Sequence, residues 1–451
     1  MQISPSFVIL LLIGYRLPGS LTCTVDRSRS RCTCSFAALK NFQDLIDCLG
    51  AFVFEFRDGK FEDVSDIHLY YSNLQLVAPY LQLPIDKIIL GNSVLDENFL
   101  RIFLDLTRNV NIRELVFEDC TFTGRADWQL MEGKVPKIVS LQFINVSSAS
   151  LTDRGKDFSH ISSWMARMKN IVLTRSQTTH IPHSISMHFK DLHALDLSEN
   201  QLQDQGINDS FSDDLFQNLK SLKLRHNNLT SFDVACKALS KLPNLQDSDL
   251  SQNNFSKPPS SPCEWPQSIY LLNLSNTCLE HVNTHLLPPS IELLDLSDNK
   301  LSALDVPLPH LKEVYLPNNR LHSLPSSNNL PELKVLILDG NRITGLPKDQ
   351  LQAFKHLSVL KADRNPYTCS CAVVNEMKEL SKSSFVVQQW PEGYLCDSPS
   401  VYKGHQVKET DTVFECYKPL FIVIICAVIV LVCIVAAICW VRNRCFTQPR
   451  A

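Results

Sequence analysis

Two neighbouring stretches decide the fold: Leu311-Lys-Glu-Val-Tyr-Leu-Pro-Asn-Asn-Arg-Leu321 and Leu333-Lys-Val-Leu-Ile-Leu-Asp-Gly-Asn-Arg-Ile343. Both read apolar-x-x-apolar-x-apolar-x-x-Asn-x-apolar. The alternating Leu-x-Leu is a short strand that turns its apolar side chains to one side and its x residues to the other. An Asn at the fixed position after it has an amide that both donates and accepts, so it can bond backbone groups inside a turn that would otherwise be buried unsatisfied. One such unit has no second layer against which to bury its apolar face, so copies must stack.

The pattern recurs at Leu192–Leu202, Leu219–Leu229 and Ile291–Leu301, and more weakly from Ile85, Ile112, Ile138, Met168, Leu245, Ile269 and Leu357. Starts 20 to 30 residues apart match the period of leucine-rich repeats. The expected fold is α/β, a leucine-rich-repeat solenoid or horseshoe with an open concave sheet. The ladder residues are Asn200, Asn227, Asn253, Asn299, Asn319, Asn341 and Asn365; the first repeats carry Ser93, Cys120, Val146 and Ser176 there instead. Either drift or a functional modification accounts for that irregularity.

The two ends set the compartment. Residues 1–20 hold an apolar run, Phe7 to Ile13, then Pro18-Gly-Ser20, which reads as a secretory signal. Leu420 to Trp440 is 21 residues without a charge, about 31 Å of helix, the thickness of a bilayer core. Arg442 and Arg444 follow and mark the cytoplasmic side. The expectation is a single-pass type I protein of the cell membrane, with a transmembrane helix over 420–441 and a cytoplasmic tail over 442–451 too short for a signalling domain. A lipid-anchor signal is the competing reading of the same run. Between the ends lie an N-terminal cap with the first strands (21–84), the repeats (85–367) and a C-terminal cysteine cap (368–417).

Sixteen cysteines in 451 residues suit an oxidising compartment. Pairing Cys369 with Cys396 and Cys371 with Cys416 would staple the C-terminal cap. Cys23, Cys32, Cys34 and Cys48 can close an N-terminal cap with two bridges. Cys236 and Cys263 flank one repeat and can bridge. Cys120 and Cys278 lie six repeats apart, about 29 Å at ~4.8 Å per strand, beyond the disulfide limit of ~7 Å, so both should be free thiols. A metal is the alternative for the clusters, but without grouped histidines none is expected. No hydrolase, metalloprotease, phosphate-loop or dinucleotide motif occurs, so neither an enzyme nor a cofactor is expected. Taking five basic residues at the ends from the 43 leaves 38 against 47 acidic, net −9 for the ectodomain. That excludes a nucleic-acid footprint. Glycosylation acceptors stand at Asn145, Asn208, Asn228, Asn254 and Asn273, the last on the open face of a strand, where a glycan would obstruct a protein ligand.

The front of the chain holds more large apolar residues than a thin solenoid end needs: Phe52-Val-Phe-Glu-Phe56, then the run from Leu69 to Leu83, then Phe99 to Leu104. As single residues they read as core. As a group they suit an apolar cavity for acyl chains. Phe52, Phe54 and Phe56 should share one face of a strand.

Several segments resemble the monocyte differentiation antigen family, the lipopolysaccharide co-receptors of the Toll-like receptor pathway. These are Cys32-Thr-Cys-Ser-Phe36, Phe42-Gln-Asp-Leu-Ile-Asp-Cys48, Arg113-Glu-Leu-Val-Phe-Glu-Asp-Cys-Thr-Phe-Thr-Gly124 and Pro262-Cys-Glu-Trp265 with Leu272-Asn-Leu-Ser275. The resemblance covers residues 22–345. It implies bridges Cys23–Cys34, Cys32–Cys48 and Cys236–Cys263, and a lipid pocket whose candidates here are Phe52, Phe54, Phe56, Leu74, Leu76, Leu81, Leu83, Ile88, Leu90, Phe99, Phe103 and Phe117. It also implies partners: bacterial lipopolysaccharide and lipopeptides, a lipopolysaccharide-binding transfer protein, Toll-like receptor complexes, and a possible homodimer. Two features depart from the mammalian pattern. A membrane span stands in place of a lipid anchor. Asn365-Pro-Tyr-Thr-Cys-Ser-Cys371 with Trp390-Pro-Glu-Gly-Tyr-Leu-Cys-Asp-Ser-Pro399 looks like the C-terminal cap of Toll-like receptors. Both point to a non-mammalian member. The alternatives are a decoy or truncated Toll-like receptor and a leucine-rich adhesion protein that uses the concave face.

Overall fold

The computed structural model describes residues 22–35, 48, 50–61, 85–108, 111–147, 158–257, 259–382 and 384–446. The chain divides into two compact units, 1–300 and 301–451.

In the first unit, β1 (Thr22–Asp26) and β2 (Arg31–Ser35) form an antiparallel hairpin. From β2 onward the sheet is parallel. Its strands are β3 (Val53–Arg57), β5 (Lys87–Gly91), β7 (Glu114–Glu118), β9 (Ser140–Ile144) and β10 (Asn170–Thr174). Three-residue strands continue it: β11 (Ala194–Asp196), β12 (Ser221–Lys223), β13 (Asp247–Asp249), β14 (Leu271–Asn273) and β15 (Leu293–Asp295). A second parallel sheet joins β4 (Lys60–Phe61), β6 (Val94–Asp96) and β8 (Thr121–Thr123). In the second unit β16 (Glu313–Tyr315), β17 (Val335–Ile337), β18 (Val359–Lys361) and β20 (Val386–Val387) pair in parallel. There β19 (Tyr367–Thr368) pairs with β21 (Cys396–Ser398). The protein is a leucine-rich-repeat stack.

Register explains the core. Cys32, Phe54, Ile88, Leu115, Leu141, Ile171, Leu195, Leu222, Ser248, Leu272 and Leu294 fall on one row across the first unit's strands, and all are buried. Each fully buried Leu or Ile side chain contributes about 1.5–3 kcal/mol, and that gain exists only because a neighbouring coil covers it.

The Asn ladder works between coils. The Nδ2 of Asn227 donates to the carbonyls of Leu197 (3.0 Å) and Leu224 (3.1 Å), while its Oδ1 accepts from the amide of Leu202 (3.0 Å). Asn253 repeats the arrangement one coil on, and Asn341 and Asn365 do so in the second unit. The residue just before the ladder position is left-handed: φ is 57° at Glu199, 52° at His226 and 55° at Asp298.

The irregular first repeats keep this backbone. Asn92, Asp119, Asn145 and Arg175, which precede Ser93, Cys120, Val146 and Ser176, are also left-handed. Ser93 Oγ donates to the Gly91 carbonyl (2.8 Å) and accepts from the Gly59 amide (3.1 Å). Ser176 Oγ donates to Thr174 and accepts from Val146. Cys120 Sγ reaches the Leu90 carbonyl at 3.3 Å. Shorter side chains therefore do part of the Asn's task, and only Val146 has no polar group for it.

Candidate functional site

The N-terminal strands carry the candidate site. Cys23–Cys34 and Cys32–Cys48 are bridged, with Cα separations of 4.1 and 5.6 Å. These bridges consume the four clustered thiols, the one grouping of metal-ligand type among the described residues. Cys236 is bonded to Cys263, Cys369 to Cys396 and Cys371 to Cys416. Cys120 and Cys278 are free, and burial raises the Cys120 thiol to about 11, so it stays protonated and unreactive.

The structure separates the lipid candidates into three groups. Phe54, Ile88, Leu90 and Phe117 are core residues, each at most 6% exposed. Phe117 stacks on Phe143 at 5.3 Å and meets Phe122 edge-on at 5.1 Å. Phe56, Phe99 and Phe103 are half-buried. Phe56 is in register with Leu90 and lies 6.2 Å from the Phe54 ring. Phe99 and Phe103 stack at 6.1 Å one turn apart on the helix Glu97–Thr107, whose N-cap is the Asp96 carboxylate. Phe52 departs from the expected shared face. It precedes β3, where the amides of both Phe52 and Val53 bond the Ser30 carbonyl, and it is 53% exposed. Leu74, Leu76, Leu81 and Leu83 lie outside the described residues.

The other side of the same strands holds a polar network that spacing alone did not single out. Glu55 is 2% exposed. Its Oε2 accepts from Arg31 Nη2 (2.6 Å) and Thr33 Oγ1 (2.8 Å), and its Oε1 from Arg57 Nε (2.5 Å). Burial alone would raise the Glu55 carboxyl, but the Thr33 hydroxyl and the two guanidinium groups outweigh it and hold the group below its usual value. Arg57 also reaches Glu118 at 3.0 Å, two strands away. It can do so because the residue between them is Gly91: a Cβ there would stand 3.0 Å from Arg57 Nη1. Farther along, Lys87 pairs with Glu114 at 2.9 Å, and Gln142 bonds the same carboxylate. Between these polar rows Ile89 and Val116 are buried. The signal for the first of these pairs was present: Arg31 and Glu55 are 24 residues apart, one coil.

Of the glycosylation acceptors, Asn145, Asn208, Asn228 and Asn254 are exposed. Asn273 is half-buried on β14, its Oδ1 accepting from the Ser275 amide.

The model of the leucine rich repeat family matches residues 309–366. The chain is similar to Toll-like receptor 2. It is 32% identical to that of Mus musculus over 366 residues, which is 79% of this chain and 46% of the relative. With Toll-like receptor 2 of Canis lupus familiaris the identity is 34% over 77% of this chain and 45% of the relative. With Toll-like receptor 2 type-1 of Gallus gallus it is 29% over 82% and 47%. The chain thus spans about half the length of the curated relatives it matches.

Proposed function

We propose that this protein is an innate immune pattern-recognition receptor, a membrane-anchored co-receptor that binds acylated bacterial lipids such as lipopolysaccharide and presents them to Toll-like receptor complexes. The observation that carries the reading is the similarity to Toll-like receptor 2 over more than three quarters of the chain. The finer reading, membership of the monocyte differentiation antigen family with an N-terminal lipid site, draws support from the half-buried aromatic rings of Phe56, Phe99 and Phe103. These offer apolar surface to an acyl chain, whereas Phe54, Ile88, Leu90 and Phe117 are already packed. The apolar run Leu420–Trp440 lies within one long helix, Val413–Phe446, and suits the type I anchor.

Binding of radiolabelled lipopolysaccharide and thermal unfolding, measured on the same variants, test this. Phe56→Ala and Phe103→Ala should weaken lipid binding several-fold with a small change in melting. Phe54→Trp should lower stability by about 1–3 kcal/mol through overpacking. If the protein extracts neither lipopolysaccharide nor an acylated lipopeptide, the lipid reading fails. A second reading, a decoy that pairs with another receptor through its sides, is favoured by the reach of the similarity, 88% of the chain with the Cricetulus griseus relative. It predicts lipid-independent co-precipitation with a Toll-like receptor.

A further inference from the structure

The C-terminal cap is bolted to the start of the apolar helix. The helix Val413–Phe446 runs without interruption out of the cap, and its residue Cys416 is bonded to Cys371, the first residue of the helix Cys371–Lys378. Three further contacts lock the same corner. Lys378 Nζ donates to the Thr410 carbonyl (2.9 Å), the Thr410 hydroxyl lies 3.3 Å from Cys396 Sγ, and the Cys416 amide bonds the Thr412 carbonyl (2.9 Å). The cap and the helix therefore have no free linker between them.

The heights follow from helical geometry. The charge-free run begins at Leu420, four residues after Cys416, which places Cys416 about 6 Å above the hydrocarbon edge at ~1.5 Å per residue. The headgroup layer on each side of a bilayer is about 5–8 Å thick. Cys416 thus lies within that layer. The disulfide holds the Cα of Cys371 5.1 Å from that of Cys416. Even if the bridge pointed straight away from the membrane, Cys371 would stand only about 11 Å above the hydrocarbon, and any tilt lowers it. A bridge tilted toward the bilayer plane brings Cys371 into the headgroup layer, and with it Ala372 and Asn375, both exposed and within four residues of Cys371. Tyr417, 53% exposed, and Lys418 flank the entry with the amphipathic chemistry that interfaces favour. The same small cap exposes Leu395 and Val401, 41% and 67%.

We propose that the first turn of the helix Cys371–Lys378 is a membrane-docking surface, seated against phospholipid headgroups by the Cys371–Cys416 bridge. The cap then rests on the bilayer instead of standing off it on a flexible stalk. The proposal depends on the reading that the helix Val413–Phe446 crosses a membrane, so its test separates the two. The full chain is placed in phosphatidylcholine nanodiscs with a fluorescent amino acid at position 372, 430 or 320. Position 430 lies mid-run. Position 320 is exposed on the coil of β16, three strands from β20 in the sheet order. Acyl-chain nitroxide lipids should quench position 430. Headgroup nitroxide lipids should quench position 372 strongly and position 320 little. Quenching at 430 with equal headgroup quenching at 372 and 320 overturns the docking surface alone. Absence of quenching at 430 removes the span, and the docking surface with it.

Discussion

Ser248 occupies a place where the stack needs an apolar residue. It lies on the buried row between Leu222 and Leu272, it is 0% exposed, and its Oγ has no hydrogen-bond partner. Leaving a hydroxyl buried and unpaired costs about 1–3 kcal/mol. Ser248→Ala removes that group and adds no volume, so it should stabilise the protein by about 1 kcal/mol. Ser248→Leu restores the residue its row neighbours carry. Its three extra carbons over Ala give at most about 2.4 kcal/mol more at ~0.8 kcal/mol each, against an overpacking cost of about 1–3 kcal/mol if the site has already closed. Alanine is therefore the decisive variant, and leucine reports how far the neighbours have relaxed. Urea unfolding of the detergent-solubilised chain, followed by intrinsic fluorescence, reads both. If Ser248→Ala lowers stability by 1 kcal/mol or more, the hydroxyl is bonded to an ordered water and the reasoning is wrong.

Other expectations follow from the same contacts. Asn227→Leu leaves three buried backbone groups, on Leu197, Leu202 and Leu224, without their amide partner. It should cost about 3 kcal/mol or more and reduce secretion, whereas the exposed neighbour Asn228→Gln should leave stability unchanged. Glu55→Gln should cost about 2–3 kcal/mol at neutral pH, because Arg31 and Arg57 lose their carboxylate. The folded-state carboxyl is depressed, so its stabilisation is present above the ordinary value of 4.5 and disappears as pH falls through the lower folded value. Wild type and Glu55→Gln should thus converge in acid unfolding as pH falls from 4.5 through the lower folded value, and a constant gap would count against the charged network. Cys120, buried and protonated, should resist alkylation in the native protein and react only on unfolding.

What the sequence disclosed and what it hid follow from one distinction. Features set by the repeat period were legible, because the same residue type must recur wherever coils stack. The strand positions and the Asn ladder belong to this class. The left-handed turn before each ladder residue recurs with the same period, even where Ser93, Cys120 or Ser176 stands in for Asn, but residues as different as Glu199, His226 and Asp298 occupy it, so residue identity did not mark it. Features that depend on a single departure from the period were hidden. Phe52 looks like a partner of Phe54 by alternation, but the chain enters β3 only after it, and alternation holds only inside a strand. Ser248 scores as an apolar position by register and is polar by identity.

Glu55 shows how the two classes meet. An isolated acid on the open side of a sheet is ordinarily solvated, so composition gave no reason to mark it. Its burial comes from Arg31 one coil earlier, from Thr33, and from Arg57 two residues on in its own strand. Arg57 is in turn aligned by Glu118, two strands away, across a glycine that leaves the path open. Coil-length separations between opposite charges are the signal that would have found the Arg31–Glu55 pair. The glycine midway between Arg57 and Glu118 is the signal for the longer reach. In a stacked fold, the partner of a charged residue is better sought one period away than one turn away.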